Sequence, residues 1–258
     1  MIASFAKALV PLALATALPS LAAAETPTIV LVHGAFADSS SWAAVIDRLT
    51  ADGYPVIAAA NQLRSVPDDA ASVAALLQTI EGPVVLVGHS YGGVVISNAA
   101  QGNPEVKGLV YVSAFAPETG ESAFQLTGQF AGSALGASVI PAPLGSENAD
   151  LYIAADKFRA IFAADLPEAE TARMAATQRP VTQAALTGAS GAPAWKTLPS
   201  WFVYGDADQA IPAAALAFMA ERAQPKDTVV VAGASHALLV SQPDAVVAVI
   251  EKAAKATE

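Results

Sequence analysis

Short apolar runs recur along the chain and alternate with stretches of helical periodicity. The runs are rich in β-branched residues and end near Gly, Pro or polar residues, which is typical of strands buried in a sheet. Six segments show this pattern: residues 28–33, 56–60, 84–88, 108–113, 201–204 and 228–231.

The stretches between these runs carry apolar residues at helical spacing. Residues 41–51 place Trp42, Val45, Ile46 and Leu49 on one stripe, and residues 68–81 and 243–254 have similar stripes. Strands that are apolar on both faces and alternate with helices require a parallel sheet covered on both sides. The pattern therefore predicts an α/β fold with a mostly parallel, doubly wound sheet of about six strands.

One long segment interrupts the alternation. Residues 117–198 contain no strand-like run, and they are rich in Ala, Gly, Ser and Pro, with helical patches at 156–164 and 168–177. A loop of that length is improbable in a compact domain. We therefore predict a small helical insertion that caps one end of the sheet.

The first 24 residues have a different composition. Lys7 is their only charged side chain, an apolar run follows, and Ala22, Ala23 and Ala24 precede Glu25. This is the layout of a secretory signal peptide. A membrane anchor or an Ala-rich first helix is the alternative, but the apolar run is shorter than the roughly 20 residues that a bilayer requires. We expect a signal peptide at 1–24, a single domain at 25–258, and export to a periplasm or the medium.

The remaining composition limits the partners and the chemistry. Removing residues 1–24 removes one of the 13 basic side chains and none of the 23 acidic ones, so the formal charge changes from −10 to −11. Such a surface repels nucleic acid and anionic lipid, and neither is an expected partner. No span of the processed chain is expected to cross a membrane. The chain has no cysteine, which excludes a thiol nucleophile and thiolate metal sites.

A serine flanked by glycines follows the third apolar run. Residues 88–92 read GHSYG, and the next residues form a plausible helix. In a strand-turn-helix context, G-x-S-x-G indicates a nucleophile elbow, in which the glycines allow close passage of the chain and the strained turn exposes the hydroxyl. Ser90 is therefore the candidate nucleophile, and an ordinary tight turn is the alternative.

A serine needs a base, and the chain offers three histidines. His89 is adjacent to Ser90, so its side chain is expected to point away from it. His33 ends the first strand. His236 follows the last strand and is expected at the carboxyl edge of the sheet, where sites of open α/β sheets form. We therefore predict His236 as the base.

Two acids follow the strand at 201–204, and either could orient the imidazole of His236. Asp206 and Asp208 stand in GDADQAIP, at the same predicted sheet edge. The order of serine, acid and histidine is that of a hydrolase triad in which each member follows a different strand. Spacing alone does not choose between the two carboxylates.

Acyl transfer also needs backbone donors for an oxyanion. The amide of Tyr91, directly after the candidate nucleophile, supplies one. The second is expected from the loop at 33–36 (HGAF), where Gly34 allows the chain to approach the site. The alternative is that this loop is only a tight turn.

The motifs LVHGAFADSSSW, LVGHSYGG, WFVYGDADQAIP and GASHALLVSQPDAV resemble the α/β-hydrolase superfamily, in particular the branch of hydroxynitrile lyases, plant methylesterases and bacterial pyrethroid-hydrolase-like esterases. The resemblance covers about residues 28–254 and is weakest in the insertion. It implies Asp208 as the triad acid, and Ala35 with Tyr91 as the oxyanion donors. It implies no cofactor and no metal.

Two departures from related enzymes narrow the implied chemistry. The lyases depend on a lysine near the histidine, and residues 233–242 contain none. Epoxide hydrolases and haloalkane dehalogenases have aspartate where this chain has Ser90. We therefore expect hydrolysis of a small or medium apolar ester. Perhydrolysis or C–C cleavage by the same triad, and a non-enzymatic ligand-binding protein, are the alternatives.

Overall fold

The computed structural model describes residues 25–145 and 148–257. The predicted signal peptide, residues 1–24, lies outside the described residues. Within the described ranges, no helix combines the length and the apolar character needed to cross a membrane.

The strands and helices are numbered in chain order. The strands are β1 Thr28–Val32, β2 Val56–Ala59, β3 Val84–His89, β4 Val106–Val112, β5 Val139–Leu144, β6 Asn148–Ile153, β7 Val181–Thr182, β8 Ser200–Gly205 and β9 Asp227–Val231. The helices are α1 Ala43–Ala51, α2 Val66–Leu77, α3 Gly92–Ala99, α4 Ala123–Gly128, α5 Ala155–Phe162, α6 Glu168–Thr177, α7 Gln183–Thr187, α8 Ala213–Ala223, α9 Leu238–Ser241 and α10 Pro243–Lys255. Short 3-10 helices occur at Ser39–Trp42 and Ala194–Lys196.

The main sheet has six strands in the order β2-β1-β3-β4-β8-β9. Every neighbouring pair in it is parallel. The six strands coincide, within a few residues, with the six apolar runs. The predicted parallel α/β sheet is therefore confirmed.

The central strands are buried on both faces, and alternate residues face two different cores. In β3, Val84 and Leu86 join one core, whereas Val85 and Val87 join the other. The first core includes residues of α2, α3 and α8. The second includes residues of α1, α9 and α10. Two covered faces explain why these strands are continuously apolar and do not alternate with polar residues.

Helix α2 begins where its sequence provides a strong start signal. Ser65 accepts a hydrogen bond from the amide of Asp68 at 3.2 Å through its side chain, and Pro67 lies in the first turn. Both features stabilise a helix N-terminus. The beginning of α2 therefore has a defined position beside the sheet.

The segment between β4 and β8 differs in part from the expected helical insertion. It contains helices α4 to α7, but also a three-stranded antiparallel sheet in the order β5-β6-β7. The sequence did not reveal this sheet because β5 contains Pro141 and Pro143 and is largely exposed, while β7 has only two residues. Such strands lack the long apolar run that marks the main sheet. We call this segment the cap.

Two leucines of different burial test the importance of the central sheet. Leu31 in β1 has no exposed surface, whereas Leu144 in β5 is 45% exposed. We expect Leu31→Ala to lower the free energy of unfolding by about 2–5 kcal/mol because it leaves a cavity between packed layers. We expect Leu144→Ala to change it by less than about 0.5 kcal/mol. Urea denaturation of both variants measures the difference, and equal losses would contradict this description of the core.

Candidate active site

The candidate residues lie in loops that leave the carboxyl ends of four parallel strands. His33 follows β1, Ser90 follows β3, Asp208 follows β8 and His236 follows β9. Strands β1 and β3 are neighbours, although β2 separates them in the chain. The chain therefore changes direction across the sheet at β1 and β3, and this is where open α/β sheets form ligand sites.

Ser90 occupies a strained turn between β3 and α3. Its φ angle is +54°, in the left-handed region that residues with a Cβ rarely adopt. The backbone is held there by hydrogen bonds from its amide to Val112 O at 3.2 Å and from the amide of Phe115 to Ser90 O at 3.2 Å. A Cβ on Gly92 would lie 2.4 Å from Val32 O, so only glycine fits beside the turn. This is the geometry of a nucleophile elbow.

His236 and Asp208 form a buried pair. The Nδ1 atom of His236 lies 2.7 Å from Oδ2 of Asp208, and the two side chains are 1% and 0% exposed. The other carboxylate oxygen of Asp208 accepts hydrogen bonds from the amides of Ala210 and Ile211, both at 2.8 Å. A carboxylate fixed in this way holds the imidazole proton on Nδ1 and leaves Nε2 free to accept one.

Asp206, the competing acid, has a different position. It is exposed, and its Oδ1 atom accepts a hydrogen bond from the amide of Gly233 at 2.6 Å. Asp206 therefore binds the loop that precedes His236, whereas Asp208 is the acid that contacts the imidazole.

The other two histidines, His33 and His89, are buried and contact backbone groups. His33 donates from Nδ1 to Gly34 O at 2.9 Å and accepts at Nε2 from the amide of Asn61 at 3.1 Å. His89 donates from Nε2 to His236 O at 3.1 Å. Burial lowers the pKa of His33, and burial together with the neighbouring His236 lowers the pKa of His89 further. Both rings are thus hydrogen-bonded to backbone groups. This agrees with the choice of His236 as the candidate base.

The two predicted oxyanion donors, Ala35 and Tyr91, line the same cavity as Ser90 and His236. In the part of the chain that the structure describes, neither backbone amide donates a hydrogen bond to a protein acceptor. A Cβ on Gly34 would lie 2.6 Å from Cβ of Ser90, so the loop after β1 passes against the elbow. The two amides are therefore available as donors beside the serine.

This cavity has a volume of about 440 Å³ and lies between the sheet edge and the cap. Its cap-side wall is apolar and includes Phe124, Phe130, Leu135, Val139, Leu151 and Leu186. Among the described residues, no Asp, Glu, Lys or Arg lines it. Among the aromatic residues of the cap, Phe124, Phe130 and Phe162 line the cavity. Trp195 and Phe158 are core residues, and Tyr152 does not line it.

Phe162 has a role that the sequence did not indicate. At the end of α5, its ring lies edge-on to His236 with centroids 4.9 Å apart, and its carbonyl accepts from the amide of Ala237 at 2.9 Å. Asp165, three residues further along, accepts a hydrogen bond from the Ser235 hydroxyl. The cap thus packs directly on the loop that carries His236. No motif or spacing signals this contact, because it joins residues more than 70 positions apart.

No metal centre is evident in the described part of the chain: residues 25–145 and 148–257 contain no group of three or more His, Asp or Glu that could hold an ion.

Comparison with known proteins places these features in a family. A model of the alpha/beta hydrolase family matches residues 29–249. The alpha/beta hydrolase nvfD of Aspergillus novofumigatus is 30% identical over 249 residues, which cover 88% of this chain and 96% of that protein. A polyneuridine aldehyde esterase structure has a TM-score of 0.78 at 17% identity and covers 88% of this chain and 99% of its own. A pyrethroid hydrolase structure has a TM-score of 0.70 at 25% identity, with 90% and 99% covered. The resemblance expected from the motifs is confirmed.

The buried histidines predict a pH dependence of stability. His33 and His89 have a folded-state pKa below 6.5, so the unfolded chain takes up protons that the folded chain does not. Their contribution to the free energy of unfolding is therefore fully present above about pH 6.5. It is lost as the pH falls toward the folded-state pKa, and the free energy of unfolding then decreases by up to about 1.4 kcal/mol per pH unit for each histidine. Urea denaturation between about pH 7.5 and 5.5 measures this slope. We expect His89→Gln to flatten it, and an unchanged slope would contradict the assignment.

Proposed function

This chain belongs to the alpha/beta hydrolase family, and we propose that it is a serine hydrolase of carboxylic esters that uses Ser90, His236 and Asp208. The observation that carries the proposal is the buried contact of 2.7 Å between His236 Nδ1 and Asp208 Oδ2. His236 and Ser90 line the same cavity. The relatives named as an esterase and a hydrolase support the same class of reaction.

The first half of the proposed reaction forms an acyl-enzyme. Nε2 of His236 takes the hydroxyl proton of Ser90 as the oxygen attacks the ester carbonyl carbon. The carbonyl oxygen becomes an oxyanion that the amides of Ala35 and Tyr91 stabilise. The C–O bond to the alcohol then breaks, and His236 returns the proton to the leaving alcohol.

The second half releases the acid. A water molecule loses a proton to Nε2 of His236 and attacks the acyl carbon, and the tetrahedral intermediate again places its charge between the two amides. Collapse breaks the bond to Ser90, which recovers the proton from His236. Throughout the cycle, Asp208 orients the ring and stabilises its protonated form.

The cavity also supports a proposal about the substrate. Its apolar lining has no charged side chain in the described part of the chain, so a substrate carboxylate or ammonium would lose hydration without gaining a partner there. A volume of about 440 Å³ lies within the usual range for small-molecule sites. We therefore propose an uncharged ester of small or medium size with an apolar acyl or alcohol group.

Chromogenic esters test both the reaction and the substrate class. We expect turnover of p-nitrophenyl butyrate, and a kcat/KM at least tenfold lower for an ester of similar size with a carboxylate on its acyl chain. We expect Ser90→Ala to reduce kcat by about 10³-fold or more and to abolish labelling by a phosphonate probe. Turnover that Ser90→Ala leaves intact would exclude the mechanism.

The two neighbouring acids provide a matched pair for the triad. We expect Asp208→Asn to lower kcat by about 10³–10⁴-fold because the amide no longer fixes the reactive imidazole tautomer. Asp206→Asn alters an exposed carboxylate that contacts only the loop amide of Gly233 among the described residues, and we expect a change below about threefold. Steady-state hydrolysis of the same ester measures both, and the reverse order of effects would assign the triad acid to Asp206.

A further inference from the structure

The connection from β2 into α2 contacts both loops that carry the candidate oxyanion amides. Residues 61–69, here called the bridging segment, include Asn61, two residues after β2, and Asp69 in the first turns of α2. Asn61 and Asp69 are both fully buried. Because neither residue has exposed surface, their polar groups can bind only partners inside the protein.

The first contact is with the loop that carries Ala35. The backbone amide of Asn61 donates to Nε2 of His33 at 3.1 Å, and its side-chain Nδ2 donates to His33 O at 3.0 Å. The carbonyl that Nδ2 binds lies two residues before Ala35. The other side-chain atom, Oδ1, is buried without a hydrogen-bond partner in the described part of the chain. A buried acceptor without a partner lowers the stability of the fold.

The second contact is with Tyr91. Its phenol donates to Oδ2 of Asp69 at 2.8 Å, and Oδ1 of Asp69 accepts from the backbone amide of Arg64 at 3.0 Å. Burial raises the pKa of Asp69, and burial with the nearby carboxylate raises the pKa of the Tyr91 phenol. A hydrogen bond between a buried phenol and a buried carboxyl group restricts the side chain strongly, and with it the backbone that carries the Tyr91 amide.

The bridging segment is also bound to the cap. The amide of Thr182 in β7 donates to Leu63 O at 3.0 Å, and its hydroxyl donates to Arg64 O at 2.5 Å. The Arg64 guanidinium contacts Asp150 of β6 at 2.7 Å and Pro180 O at 3.0 Å. Leu63 itself has a φ of +61°, a conformation that these contacts help to hold.

We propose that the bridging segment is the positioning element of the oxyanion hole. Asn61 sets the position of the Ala35 amide through His33, and Asp69 sets that of the Tyr91 amide through its phenol. The spacing of the two donors is thus fixed by one segment whose own position depends on the cap. The inference rests on the proposed ester hydrolysis, and it assigns Asn61 and Asp69 as positioning residues that do not touch the substrate.

Tyr91→Phe and Asn61→Ala test the two contacts separately. Because the donors act mainly on the charged transition state, each variant is expected to lower kcat for p-nitrophenyl butyrate about tenfold while KM changes less than about twofold. The two contacts position different amides, so kcat of the double variant Tyr91→Phe/Asn61→Ala is expected to fall about 100-fold. In the double variant Asp69→Asn/Tyr91→Phe, kcat is expected to fall no further than in the more severe of the two single variants, because the two side chains form one hydrogen bond.

Tyr111→Phe is the matched control. Tyr111 is another fully buried phenol, whose oxygen lies 2.8 Å from the Ser97 hydroxyl, and it does not line the cavity. We expect it to lower Tm by a similar amount and to leave kcat unchanged. End-point titration with the phosphonate probe corrects every kcat for the fraction of competent molecules, so partial unfolding of a variant does not obscure the comparison.

The outcomes separate the two proposals. Wild-type protein that neither hydrolyses esters nor is labelled at Ser90 would overturn the proposed function and this inference with it. Wild-type turnover with unchanged kcat in Tyr91→Phe and Asn61→Ala would overturn the positioning role alone. A loss of kcat in Tyr111→Phe as large as in Tyr91→Phe would show a general effect of destabilisation and would also reject it.

Discussion

Parallel pairing of β3 with β1 and β4 is the constraint on which the candidate site depends. Parallel strands end at the same edge, so the loops after β1, β3, β8 and β9 meet although they are distant in the chain. The pairing also continues to the last residue of β3, where His89 lies opposite Val112. The amide of Ser90 then donates to Val112 O, and the strained serine is an extension of the sheet ladder. The unusual backbone conformation of Ser90 is therefore held by hydrogen bonds of the main sheet.

Asp208 and Asp69 are two buried carboxyl groups near this edge, and their hydrogen-bond partners differ in kind. Asp208 accepts from two backbone amides and from an imidazole that can become charged, so its negative charge can respond to a proton arriving on His236. Asp69 accepts from a phenol and a backbone amide, neither of which changes charge in the proposed reaction. Both carboxyl groups are hydrogen-bonded, which reduces the cost of burying them. Only Asp208 has a partner, His236, that gains a proton in the proposed reaction.

Sequence reasoning was reliable wherever the signal was local. The six main strands are continuously apolar, and the glycines around Ser90 have a steric reason that the spacing already implied. The choice between Asp206 and Asp208 was not local, because both acids leave the same strand and only the fold of that loop decides which one turns toward His236. Residues alone left it open, and the family resemblance favoured Asp208, the acid that the structure places against the imidazole.

Other features escaped prediction because their partners are remote. Strand β5 is exposed and contains two prolines, so the cap sheet lacks the pattern of a buried strand. Asn61, Asp69 and Phe162 are ordinary residues in their own neighbourhoods, and their contacts with His33, Tyr91 and His236 arise only when distant segments pack. Tyr91 shows the same limit: the motif predicted a role for its amide, but nothing in the motif indicated a partner for its phenol.

The cap contacts the sheet edge at several places, and two of these contacts involve different parts of the proposed machinery. Through Phe162 and Asp165 the cap packs on the loop of His236. Through Thr182 and Asp150 it contacts the bridging segment, which in turn contacts the two oxyanion loops. The apolar cavity is lined by Phe162 and by other residues of the cap. The cap therefore shapes the cavity and also contacts the loop of His236 and, through the bridging segment, the loops of Ala35 and Tyr91.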